Sequence, residues 1–193
     1  MSISSYFHER AEKRAEQKAF SAKVTVLADA IRQADDKVFT ALFDDVKQSS
    51  LYTPMVAAGL LKTVIAKDNE PAFSAILSTC SNQNIFFTNA TAGGLRGSPV
   101  LTNSEHILSL AIRSGSAKIA LVLAKNTKVS VDKAGYTQVI SGFAKPLTTP
   151  YEKSLASLAH EHGMQDVESV LTRRRLLESA FRSQRDKKQK PSK

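Results

Sequence analysis

The sequence contains no tryptophan and only one cysteine, Cys80. A single cysteine cannot form an internal disulfide, which excludes the disulfide-stabilised secreted domains and indicates a reducing compartment. Apolar runs long enough to span a bilayer are also missing. The first 20 residues are charged and lack the apolar stretch of a secretory signal. We therefore expect a cytoplasmic protein without a transmembrane segment.

Aliphatic side chains supply most of the apolar content. Alanine, leucine, valine and isoleucine dominate the 42% of residues that are hydrophobic, a composition that suits tightly packed helices. The same fraction excludes a chain that is disordered throughout. With 193 residues, the chain is long enough to form one domain with a core of ordinary size.

The net charge of +9 is concentrated at one end of the sequence. Residues 173–193 contain nine Lys or Arg and two acidic residues, whereas residues 24–172 contain thirteen of each sign. Two basic clusters separated by eleven residues have the form of a bipartite nuclear localisation signal: Arg173, Arg174 and Arg175, then Lys187, Lys188 and Lys190. This basic patch is typical of a nuclear or nucleic-acid-associated regulator. It is equally typical of a solvated helix end followed by a solubilising tail.

An internal repeat organises the rest of the chain. Residues 110–123 and 158–171 both read Leu-Ala, then Gly four residues after the Ala, then Ile or Val four later, then Val-Leu. Residues 30–43 and 64–77 carry apolar residues at the same offsets. Each copy predicts a helix end, a turn and a second amphipathic helix. Such a unit cannot bury its apolar face alone, so repetition predicts an all-α solenoid of about four stacked hairpins.

The predicted organisation has four parts: a polar N-terminal helix over 1–21, the repeat domain over 22–172, a capping helix over 173–186 and a disordered basic tail over 187–193. In the capping helix, Leu176, Leu177 and Phe181 are expected to cover the end of the last repeat.

Residues 81–99, rich in Asn, Thr, Ser and Gly, predict a long loop that could contain a hairpin around 84–88. Thr149-Pro150 predicts the start of a helix, and Ser104 predicts an N-cap.

These spacings resemble the ankyrin repeat. The resemblance covers roughly residues 22–172 and includes residues 132–139, similar to the family's Asp-x-x-Gly-x-Thr-Pro-Leu stretch, as well as Thr53-Pro54 and Ser98-Pro99. The copies are 34, 47 and 48 residues apart, whereas ankyrin repeats are about 33 residues long. Lengthened first helices or insertions would account for the excess. Armadillo-like or HEAT-like units, about 40–47 residues long, are the alternative.

The resemblance implies noncatalytic binding of a partner protein through the concave face and its loops. Leu95, Arg96, Lys128 and Tyr136 would lie on that face, and Arg and Tyr are favoured interface anchors. The alternative is that Arg96 is a solvated loop charge and that Tyr136 packs on its own hairpin. Small divergent ankyrin proteins also occur as bacterial or viral factors acting on host proteins, so delivery into a host cell is an alternative to the cytoplasm. A monomer is expected.

Local motifs predict no catalytic site, metal or cofactor. His160 and His162 are two residues apart and point to different sides of a helix, so they are poorly placed to share an ion. His160 aligns with Ile31 and Ile112 and is expected to fill their packing position. Residues 93–98 lack the Gly-Lys-Ser/Thr ending of a phosphate loop. The sequence therefore indicates a protein that is not an enzyme.

Overall fold

A computed structural model describes residues 3–91, 100–132, 134–140, 147–151 and 153–189. The chain divides into two units, Met1–Ser81 and Asn82–Lys193. The first unit contains the helices α1 (Ile3–Gln33), α2 (Asp36–Gln48), α3 (Pro54–Lys67) and α4 (Glu70–Ser78). The second contains β1 (Phe86–Thr91), β2 (Val100–His106), α5 (Ile107–Arg113), α6 (Ala117–Lys125), β3 (Gly135–Ile140), β4 (Leu147–Pro150), α7 (Leu155–Glu161) and α8 (Gln165–Gln189).

Local capping explains where the helices of the first unit begin. The side chains of Asp35, Thr53 and Asn69 accept hydrogen bonds from the backbone at the starts of α2, α3 and α4. Pro54 and Pro71 occupy the first turns of α3 and α4, where their missing N–H has no cost. Two helical hairpins result, and α1 packs against both α2 and α3. The core of this unit includes Leu27, Ile31, Phe43, Leu61, Ile65, Phe73 and Ile76.

The second unit alternates extended and helical hairpins. Its four strands form one antiparallel sheet in the order β1-β2-β3-β4. Ser104 in β2 lies opposite Thr88 in β1 and opposite Tyr136 in β3. The helices α5 and α6 follow β2, and α7 and α8 follow β4, so each helical hairpin comes directly after a strand. Its core includes Ile107, Leu108, Ile112, Ile119, Leu123, Leu155 and Leu171.

All four helical hairpins share one turn. Ala34, Asp68, Gly115 and Gly163 each adopt a positive φ within two residues of the end of the first helix of a hairpin. Each donates its N–H to the carbonyl three residues earlier, and the next residue donates to the carbonyl five residues before it. This pair of bonds is the Schellman motif, which satisfies carbonyls that a helix end leaves free. The four segments aligned from the sequence therefore share the same backbone turn.

The described chain is mainly helical, as expected, but it is not all-α, because its eight helices are combined with the four-stranded sheet. Residues 86–91, expected in a loop that could contain a hairpin around 84–88, form β1, which pairs with β2. Ser104, expected as an N-cap, lies within β2. Thr149 and Pro150 end β4 and do not start a helix. The distances of 47 and 48 residues between repeat copies suggested lengthened helices or insertions. In the second unit, strand β2 and the segment after β4 account for the extra residues.

Both terminal helices also differ from the expectation. The polar N-terminal segment and the first repeat helix form the single helix α1, with no boundary after residue 21. Helix α8 continues to Gln189, so the expected tail at 187–193 begins inside a helix, and residues 190–193 lie outside the described part. Lys, Gln and Arg are good helix formers, which explains the continuation. Leu176, Leu177 and Phe181 are exposed and do not cover the last repeat.

Candidate functional site

An open groove of about 660 Å³ lies in the second unit. It runs between α5 and α7 and is bounded by the residues that precede β3 and follow β4. Its lining consists of Ser109, Arg113, Ala134, Pro150, Tyr151, Lys153, Leu158, Glu161 and His162. We call this feature the second-unit groove. Its volume is within the range of about 300–1,000 Å³ that is typical of ligand sites.

Tyr151, Pro150 and Leu158 are apolar residues of this lining, and we call these three residues the floor of the groove. The backbone N–H of Tyr151 donates to the carbonyl oxygen of Gly135, 2.9 Å away. Burial, reinforced by the nearby carboxylate of Glu105, raises the pKa of the Tyr151 phenol. Arg113 opposes this shift in the pKa by favouring the phenolate. The phenol is therefore neutral at physiological pH and offers a hydroxyl donor beside an aromatic surface.

Two ion pairs flank this floor. Arg113 Nε lies 3.6 Å from Glu105 Oε1, and the same carboxylate accepts a hydrogen bond of 2.9 Å from Ser109 Oγ. Lys153 Nζ lies 2.8 and 2.9 Å from the two carboxylate oxygens of Glu161. The hydrogen bond from Lys153 holds the pKa of Glu161 below its usual value. The groove thus offers charges of both signs around an apolar surface.

The repeat could have pointed to two of these residues. Arg113 lies two residues before Gly115, and Glu161 lies two residues before Gly163, so they occupy the same position in their hairpins. Both line the groove. Tyr151 had no comparable signal, because it reaches the groove only through the pairing of β3 with β4.

The four residues expected on a partner-binding face have separate positions. Leu95 and Arg96 lie outside the described residues. Lys128 is exposed, and its carbonyl accepts a hydrogen bond of 2.9 Å from Asn84 Nδ2. Tyr136 is half-buried in the sheet, with its ring centroid 5.4 Å from that of Phe86. Neither Lys128 nor Tyr136 is among the residues that line the second-unit groove.

Buried His106 lies at the centre of a hydrogen-bonded polar cluster in the second unit. His106 Nδ1 accepts the backbone N–H of Leu108 at 3.4 Å, which caps α5 and places the ring proton on Nε2. Nε2 then donates to Asn84 Oδ1, 3.4 Å away, and this oxygen also accepts the backbone N–H of Ser130. Burial lowers the pKa of His106 to about 4, so the imidazole is neutral near pH 7. The cluster joins β2 to the segment after α6.

The basic patch contains one residue with a structural role. Arg174 is part-buried and donates hydrogen bonds of 2.9, 2.9 and 3.0 Å to the carbonyl oxygens of Ala124, Asn126 and Val129. Its guanidinium caps the C-terminal end of α6 and the loop that follows it, so Arg174 is not a free surface charge. Arg173 and Arg175 are exposed on α8. Lys187 and Lys188 lie in α8, and Lys190 lies outside the described residues.

His160 does not fill the packing position expected for it. Its ring is exposed, and Nδ1 lies 3.0 Å from Glu168 Oε2, whereas the equivalent Ile31 and Ile112 are buried. A polar imidazole avoids the desolvation cost of burial by remaining at the surface beside a carboxylate. Among the described residues, no group of three or more His, Cys, Asp or Glu is arranged to hold a metal ion.

Within the described part of the chain, no helix is both long enough and apolar enough to cross a membrane. Burial raises the pKa of the Cys80 thiol, which disfavours the thiolate that a cysteine nucleophile requires. Comparisons with protein-family models, with characterised proteins and with solved structures found no match for this chain. The functional interpretation therefore depends on the groove and on the surfaces of the second unit.

Proposed function

We propose that this chain is a noncatalytic protein-binding module of the ankyrin type, and that its second-unit groove holds an extended segment of a partner protein. The observation that carries the proposal is the composition of the groove. An apolar floor containing Tyr151 is flanked by exposed Arg113 and by the ion pair of Lys153 with Glu161. Tyr and Arg are the side chains most often found at the energetic centre of protein interfaces.

The order of elements supports an ankyrin-type repeat over the other helical arrays. Ankyrin repeats place a β-turn element before each pair of helices, whereas HEAT and armadillo repeats consist of helices. In the second unit, β2 leads directly into α5 and α6, and β4 precedes α7 and α8. The hairpins of the first unit follow one another without a strand in the described residues.

The chemistry of the groove favours binding over catalysis. A general base needs a pKa near the operating pH, and a nucleophile needs an adjacent base or a lowered pKa. In the groove, burial raises the pKa of Tyr151 away from neutrality, and Lys153 lowers that of Glu161. Both shifts keep each group in its ordinary charge state near pH 7. Tyr151 and Glu161 are therefore better suited to hydrogen bonding and packing than to proton transfer.

A selection from a display library of random 12-residue peptides tests the proposal. The affinity of each selected peptide is then measured for the native chain and for the Tyr151→Ala and Arg113→Glu variants. We expect each substitution to weaken binding at least tenfold, because Tyr151 supplies the floor and Arg113 the flanking charge. Arg10→Glu, on the exposed part of α1, is the matched control and should change affinity less than twofold.

Circular dichroism of every variant establishes that folding is retained before affinities are compared. Two outcomes would contradict the proposal. One is that selected peptides bind both groove variants as tightly as the native chain. The other is that the selection recovers no peptide that binds the folded protein.

A further inference from the structure

Helix α8 carries a row of uncovered apolar side chains in its second half. Its first half packs against α6 and α7, and Val167 and Leu171 are buried there. Beyond that contact, Leu176, Leu177 and Phe181 are 66%, 51% and 65% exposed. Burying three neighbouring large apolar side chains against a partner would be favourable, because it removes apolar surface from water. We call these three residues the α8 stripe.

The stripe is held in a fixed direction relative to the second unit. Arg174, three residues before Leu177, donates hydrogen bonds to three carbonyl oxygens at the end of α6 and in the loop after it. Farther along, Arg182 Nη2 lies 2.8 Å from Asp132 Oδ2. These contacts sit on both sides of the stripe along the helix. A ligand would therefore meet a preorganised helix face and would not have to order it on binding.

The charge around the stripe is strongly positive. Residues 173–189 contain seven Lys or Arg and only two acidic residues, Glu178 and Asp186. Glu178 is paired with Arg174, whose guanidinium lies 3.4 Å from its carboxylate, and Arg182 is paired with Asp132. Arg173 and Arg175 are exposed next to Leu176 and Leu177. From this complementarity, we propose that the α8 stripe docks an acidic amphipathic helix of a partner protein.

Two other anionic partners fit the stripe less well. Binding to nucleic acid depends on phosphate contacts from Lys and Arg, which leaves Leu177 and Phe181 without a role. Helices that lie on membranes separate a wide apolar face from a cationic one. At about 100° per residue, Arg173 projects between Leu176 and Leu177, so a cation interrupts the apolar face. A partner helix can place a carboxylate opposite that arginine and apolar side chains on either side.

The proposal is independent of the second-unit groove, because no residue of α8 is among those that line that groove. The test uses a fluorescein-labelled 16-residue peptide with Leu and Phe along one helical face and Glu on the remaining positions. A scrambled peptide of the same composition lacks the helical spacing. Fluorescence anisotropy with the full chain should give at least tenfold tighter binding for the amphipathic peptide.

A double variant identifies the surface responsible. Leu177→Ser with Phe181→Ser should weaken binding of the amphipathic peptide at least tenfold and leave the circular dichroism spectrum unchanged, because both side chains are exposed. Met55→Ser is the matched control, since Met55 is an apolar residue that is 82% exposed in the first unit. It should change the affinity less than twofold.

Equal binding of the two peptides, or binding that the double variant leaves intact, would overturn the proposal. A 20-base-pair DNA duplex and vesicles containing phosphatidylserine serve as competing probes. If either binds the native chain and loses affinity at least tenfold in the double variant while the amphipathic peptide does not, the stripe serves that ligand and the proposal is overturned.

Discussion

Tyr151 donates its backbone N–H to the carbonyl oxygen of Gly135 at 2.9 Å, and its ring lies against the position where a side chain of residue 135 would be. The contact continues the pairing of Tyr136 with Pro150 by one residue at the start of β3. The floor of the second-unit groove therefore depends on the absence of a side chain at position 135.

Gly135→Ala should lower the free energy of unfolding by about 1–3 kcal/mol, the usual cost of overpacking. The added methyl group would collide with the Ser104 carbonyl oxygen, which is backbone, and with the Tyr151 ring. Urea denaturation measures the change. Gly59→Ala is the control, because nothing lies within 4 Å of a Cβ there. Within α3, this substitution should stabilise the chain by about 0.5–1 kcal/mol. A Gly135→Ala variant as stable as the native chain would show that the close approach is absent.

Because the hairpins share one turn, opposite substitutions at two equivalent positions should change the free energy of unfolding in opposite directions. Ala34 has φ 55° and Gly115 has φ 75° at equivalent positions. A Cβ in this left-handed region is strained, so Ala34→Gly should raise the free energy of unfolding by about 0.5–1 kcal/mol, after the added chain entropy of glycine is subtracted. Gly115→Ala should lower it by a similar amount, although no atom lies near the new Cβ. Thermal melts of the two variants provide the comparison, and shifts in the same direction would refute the equivalence of the turns.

Arg174 and its neighbour Arg175 should behave differently when truncated. Arg174→Ala leaves three carbonyl oxygens without their donor, so we expect a loss of about 2–4 kcal/mol. Arg175 is exposed, and Arg175→Ala should change stability by less than about 0.5 kcal/mol. Chemical denaturation of both variants in the same buffer separates structural from surface arginines. Similar losses for the two would mean that Arg174 does not cap α6.

Stability should decrease on mild acidification because of His106. Its pKa is about 4 in the folded chain, and that of an unfolded histidine is about 6.5. As the pH falls through 6.5, the unfolded chain takes up a proton that the folded chain excludes, so the free energy of unfolding decreases. The loss is complete near pH 4 and is on the order of 3 kcal/mol, whereas above pH 6.5 the contribution is constant.

His106→Asn retains an acceptor for the cap of α5 and removes the titration. The variant should show a smaller decrease in stability than the native chain between pH 7 and pH 5, measured by urea denaturation at each pH. Parallel curves for the two proteins would exclude His106 as the source of the pH dependence.

Local patterns predicted the helical hairpins well. The Ala-to-Gly spacing at 111–115 and 159–163 marks two turns, and Pro54 and Pro71 lie in the first turns of α3 and α4. These signals are reliable because helix hydrogen bonds, caps and Schellman turns join residues only three to five positions apart. The same reasoning failed for Ser104, since the conformation of a residue with strand neighbours on both sides depends on partners elsewhere in the chain.

The sequence by itself determined the four helix–turn–helix segments, the positions of their turns and the uneven charge of the chain. Only the tertiary structure decided the order and pairing of the four strands, the inward direction of Arg174 and the exposure of the α8 stripe. Ser104 pairs with Tyr136, and Arg174 reaches a carbonyl 50 residues earlier in the chain. Contacts of this separation depend on how elements pack, because strand pairing and burial are set by neighbours in space, and the sequence around a residue does not identify those neighbours.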